Sequence, residues 1–78
     1  MDILQWWKGE REGNDCLLRF YINLVKVDES LWCVTYITEV LGSYFSEAAS
    51  ATSRVFTSLD KAEQHYNDLV EYEKRCGS

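Results

Sequence analysis

The chain has 78 residues, enough for one domain, because a fold of this size buries only about 60% of its unfolded surface and cannot divide that core. Hydrophobic residues make up 46% of it, including three Trp, five Tyr and three Phe, which excludes a wholly disordered chain. Thirteen acidic against eight basic residues give a net charge of −5. That excess is spread along the chain and repels phosphate, which argues against nucleic acid as a partner.

Near the start, residues 3–8 fit either of two elements. One is a strand closed by Glu12-Gly13-Asn14-Asp15; the other is a short helix with Asp2 as N-cap, Gln5 at the capping-box position and Gly9 as its stop. Trp6 and Trp7 are adjacent within it. On a strand, consecutive side chains point to opposite faces, so one indole enters a core and the other stays outward, and a short helix splays them similarly.

Residues 17–27 give the clearest strand, with Leu18, Phe20, Ile22 and Leu24 alternating with Arg19, Tyr21 and Asn23. Asp28-Glu29-Ser30 supplies a turn, and residues 31–39 resume with Trp32, Val34 and Tyr36 on one face and Leu31, Cys33 and Ile37 on the other. Residues 17–39 therefore read as a β-hairpin. Its second strand is apolar on both faces, so either it lies centrally between two covers or one face stays exposed.

A hairpin alone is marginal and needs further strands or a covering helix. Residues 54–57 provide a third strand after the small residues of 46–53, which could act as a connection. Residues 40–52 mix signals: Leu41, Tyr44, Phe45 and Ala48 fall at helical spacing, while Gly42 and the Ser and Thr content favour a bend or a prolonged strand. The last element is a helix over residues 58–75. Ser58 caps it, Asp60 lies in the first turn, and Lys74 and Arg75 lie in the last turn before Gly77. Leu59, Ala62, Tyr66, Leu69 and Val70 form its apolar stripe opposite Asp60, Gln64, Asp68 and Glu71, and Glu71 can pair with Arg75. The expectation is a single α+β domain over residues 1–78: a small antiparallel sheet, made of the hairpin 17–39 plus one or two further strands, packed by the C-terminal helix 58–75.

Little in the chain suggests catalysis. His65 is the only histidine, and with Cys16, Cys33 and Cys76 scattered, neither a metal site nor a cofactor is expected. Cys33 reads as a small buried hydrophobe with no glycine loop beside it to form an oxyanion hole, so no enzyme is expected. An odd number of dispersed cysteines, without the basic and apolar regions of a signal peptide, fits a reducing, cytoplasmic setting. No run of about 18 apolar residues predicts a membrane span.

Binding is the better reading. Trp6, Trp7, Tyr21 and Tyr36 are types enriched at contact sites, although each also suits a core, and Tyr21, Tyr36 and Trp32 form an aromatic set on the hairpin. The carboxylates Glu10, Glu12, Asp15, Asp28 and Glu29 suit a partner rich in Arg and Lys, or a solvated surface.

Two resemblances bear on this. Arg54-Val55-Phe56-Thr57-Ser58, with Ala62-Glu63 and Tyr66 after it, looks like the last strand and helix of three-stranded DNA-binding domains of the integrase arm-binding type. Those are basic on the sheet face that enters the groove, where this chain offers only Arg19, Lys26 and Arg54. The layout, with its short Phe-containing strand and terminal helix, also resembles small phage-encoded anti-CRISPR proteins. That resemblance implies a compact acidic inhibitor, without catalytic machinery, that occludes the nucleic-acid-binding surface of a defence complex. The leading expectation is a non-enzymatic module that occupies a partner protein's basic surface. The alternatives are a sheet-reading DNA accessory factor and a structural homodimer that covers strand 31–39.

Overall fold

The structure, a computed structural model, describes residues 2–13, 15–42 and 48–77. Four strands, β1 (Asp2–Gly13), β2 (Cys16–Asp28), β3 (Leu31–Gly42) and β4 (Ala48–Phe56), form one antiparallel sheet in sequence order, and α1 (Leu59–Gly77) packs on one face. The α+β class and the terminal helix match the sequence reading. The first segment resolves to a strand, longer than residues 3–8, and each hairpin strand extends past the expected limits. Most of the stretch that could act as a connection is strand: β4 opens at Ala48, since Ala, Ser and Thr suffice for a strand with β3 on only one side. Of the ambiguous segment, residues 43–47, including Tyr44 and Phe45, lie outside the described residues.

Tight turns set the register. Gly13 pairs with Cys16 around a two-residue loop in which Asp15 takes the left-handed conformation, φ 60°, which a short polar side chain tolerates. Asp28 pairs with Leu31, and its carboxylate accepts the Glu29 N–H at 2.7 Å. Two irregularities shift the pairing, one at Leu4 in β1 and one at Val27 in β2. Because side chains alternate with a period of two, the extra residue at Leu4 sends Ile3 to the opposite face from the one plain alternation gives it.

The register then sorts every strand. Trp7, Ile22, Tyr36 and Thr52 make one row beneath α1, with Gln5, Leu24, Val34 and Arg54 as the next. From the helix, Ala62, Tyr66 and Val70 meet Ile22, Leu24 and Val34 in the buried core, and Trp7, Trp32, Tyr36, Phe56 and Leu69 pack around it. Gly9 serves the same face: a Cβ there would lie 2.3 Å from the Trp7 ring, so its missing side chain makes room for the indole. Ser58 starts the helix as expected, its hydroxyl accepting the Lys61 N–H at 3.5 Å and its carbonyl the Ala62 N–H at 3.1 Å.

The opposite face has no cover among the described residues. Truncations on the two faces should therefore differ. Ile22→Ala should cost about 2–5 kcal/mol, while Ile37→Ala on the open face should cost about 1 kcal/mol or less. Urea unfolding of both variants followed by circular dichroism measures the difference, and equal losses would mean that the second face is also packed.

Candidate interaction surface

The uncovered face runs in cross-strand rows. Ile3, Val25, Cys33 and Val55 form the first; Trp6, Asn23, Thr35 and Ser53 the second; Lys8, Tyr21, Ile37 and Ala51 the third. Large apolar groups stand out at its margins, where Trp6 is 68%, Ile3 65% and Val55 58% exposed. Val25, Cys33, Tyr21 and Ile37 are half-buried between them, shielded mainly by their in-sheet neighbours. Lys8 Nζ lies 5.9 Å from the centroid of the Tyr21 ring, a cation–π contact of modest strength at an exposed site.

Toward the other end the face turns acidic. Glu10, Arg19 and Glu39 share a row, followed by Glu12, and Asp15 stands in the adjoining turn. Glu10 is held between Lys8 at 3.8 Å and Arg19 at 3.4 Å. Arg19 Nε sits out of hydrogen-bonding alignment, so that contact is purely ionic, and exposed pairs of this kind add little stability. Among the described residues, Glu12 and Glu39 make no ion pair. The face is thus apolar at one end and anionic at the other.

The expected contact residues divide by strand parity. Trp6, Tyr21, Glu10 and Glu12 share the open face, with Asp15 at its acidic end. Trp7 and Tyr36 point to the helix side, and the aromatic set on the hairpin is split, because Tyr21 pairs with Ile37 while Tyr36 pairs with Ile22. Asp28 and Glu29 are exposed at the opposite tip, roughly 35 Å from Glu12 at about 3.3 Å per strand residue, so the five carboxylates form no single cluster. Cys33, expected as a buried hydrophobe, lies half-buried on the open face with Sγ 3.8 Å from Thr35 Oγ1. His65 sits at the helix margin, its ring 5.4 Å from that of Phe56. Among the described residues, no three His, Cys, Asp or Glu side chains gather as metal ligands. No helix among them is long and apolar enough to cross a membrane.

On the covered side lies a polar anchor that the helical pattern alone did not reveal. Glu73 is 3% exposed at the end of the apolar stripe, where Leu69 and Val70 precede it by four and three residues. It accepts a hydrogen bond from the Tyr36 hydroxyl, and its Oε2 lies 3.1 Å from Arg11 Nη2. That second contact is an ion pair without hydrogen-bond alignment. The Arg11 guanidinium also stacks over Phe20, 4.3 Å from its centroid. The anchor ties α1 to β1 and β3. Its sequence signals were the continuation of the stripe and the position of Arg11 on the same parity as Trp7.

Comparison with protein-family models, with curated proteins and with solved structures finds no match in any of the three.

Burial, reinforced by the hydrogen bond to Glu73, pushes the Tyr36 phenol up to about 12 from its ordinary 10.0; burial also raises Tyr66. The unfolded chain then loses these protons first as pH rises. The contribution of Tyr36 to stability is complete below pH 10 and is lost toward pH 12, and that of Tyr66 declines in the same direction. Tyr36→Phe should flatten this alkaline decline in urea-unfolding midpoints and leave the remainder due to Tyr66; an unchanged slope would contradict the assignment. Arg11→Met leaves the Glu73 carboxylate buried without its cation. Since Arg11 is 27% exposed, the loss should fall toward the low end of the about 3–5 kcal/mol typical of a broken buried pair, read by the same unfolding experiment.

Proposed function

We propose that the chain is a non-enzymatic binding module whose open sheet face lies against a partner protein with a basic surface, of the kind that handles nucleic acid. The observation that carries this reading is the coexistence, on one uncovered face, of the exposed groups Ile3, Trp6 and Val55 with an acidic end at Glu10, Glu12 and Glu39. Exposed apolar groups gathered in this way mark contact surfaces, and Trp and Tyr are preferred anchors there. The carboxylates add direction: they draw a cationic surface in and set which end of the face it meets. Inhibition of a nucleic-acid-handling complex, in the manner of the small anti-CRISPR proteins that the layout resembles, is the specific form of this proposal.

Sheet-based DNA reading has less support. Arg19 and Lys26 share β2 but lie on opposite faces, and Arg19 is already engaged by Glu10. A duplex approaching the open face would meet Glu10, Glu12 and Glu39.

Affinity capture from host lysate with the wild-type chain and with Trp6→Ser and Ile37→Asp variants, followed by mass spectrometry and kinetics on the purified partner, tests the proposal. The expected result is a basic protein retained by the wild type, lost by both variants, and associating several-fold more slowly as salt rises past physiological strength. Capture that ignores these substitutions, association indifferent to salt, or retention of duplex DNA at low salt would each overturn it.

A further inference from the structure

The two edges of the sheet are unlike. β1 carries devices that keep an edge strand from pairing with another chain: the irregularity at Leu4 and the charged side chains Asp2, Lys8, Glu10, Arg11 and Glu12. β4 has almost none of them. It reads Ala-Ala-Ser-Ala-Thr-Ser-Arg-Val-Phe, without proline, acid or register shift, and Arg54 is its only charge. Residues 49–55 are exposed, and among the described residues nothing lies along the outer edge. Alternate residues of an antiparallel edge strand turn their N–H and C=O groups outward. Over its 9 residues, β4 therefore offers an unpaired ladder roughly 30 Å long.

We infer that β4 pairs antiparallel with β4 of a second copy of this chain, joining the two sheets edge to edge. The register that engages the whole strand is centred on Thr52, and the side chains suit it. Thr52 faces its own copy, a favourable cross-strand pair of hydroxyl-bearing residues. Ala51 faces Ser53, Ala49 faces Val55, and Arg54 faces Ser50, so the guanidinium groups never oppose one another. Because the β1 edge is guarded, head-to-tail addition of β4 onto β1 is disfavoured. The pairing that remains uses the same strand on both copies and closes as a dimer instead of growing into a filament. A two-fold axis normal to the sheet also places both α1 helices on one side. The groove between α1 and β4, lined by Val34, Tyr36, Arg54, His65 and Leu69, then runs beside the seam in each copy.

This inference is independent of the open face, and its test separates the two. Sedimentation equilibrium over a wide concentration range should give a monomer–dimer equilibrium for the wild type. Ser50→Glu places a carboxylate opposite Arg54 twice per dimer and should tighten the dimer by about 2- to 30-fold, while Ser50→Lys should weaken it comparably. Thr52→Lys sets like charges face to face and should yield monomer. Unchanged far-ultraviolet circular dichroism should accompany all three, since the positions are exposed. Trp6→Ser, at the far side of the sheet, should leave dimerisation intact. A monomer at millimolar concentration, a dimer insensitive to the charge at position 50, a dimer abolished by Trp6→Ser, or growth into larger assemblies would each overturn the edge pairing.

Discussion

One helix must cover four strands, and it cannot cover both of their faces. A helix about 10 Å across laid on strands about 4.8 Å apart shields two of them well. Here α1 lies chiefly across β2 and β3. The buried core follows from that position: Ile22 and Leu24 from β2, Val34 from β3, and Ala62, Tyr66 and Val70 from above. The exposure of Trp6, Ile3 and Val55 follows equally, because the described chain has no second helix or sheet to lay on the other side. The open face, proposed above as a contact surface, is a consequence of this one-sided cover.

The placement of the helix depends in turn on a polar contact at its C-terminal end. Apolar packing by Ala62, Tyr66 and Val70 is non-directional and would tolerate sliding along the sheet. The hydrogen bond from Tyr36 to Glu73 is directional, and with the ion pair to Arg11 it joins three elements at one point. Burying a carboxylate is costly unless it is paired and hydrogen-bonded, so a helix displaced by one residue would leave Glu73 without partners. The anchor thus fixes which strands are covered and, by exclusion, which remain open.

Much of this was legible in the residues. The alternation of Leu18, Phe20, Ile22 and Leu24, the turn at Asp28-Glu29-Ser30, and the cap at Ser58 each have one strong local cause, and the elements form there. The segment from Ala48 to Ser53 stayed ambiguous because small polar residues signal loops, whereas an edge strand held by a partner on one side tolerates them. Leu4 was illegible for another reason: a bulge is a property of the pairing with β2, and only that pairing sends Ile3 and Trp6 to the same face. Adjacent Trp6 and Trp7 separate as expected for a strand. The split of Tyr21 from Tyr36 and the burial of Glu73 required the register between strands and the seating of the helix, neither of which local pattern contains.

The order of elements along the chain has a further consequence. All four strands precede α1, so the strand segments are synthesised before the segment that will roof them. During that interval Phe20, Ile22, Leu24 and Val34 have no shelter, and incompletely covered sheets of this kind are vulnerable to aggregation.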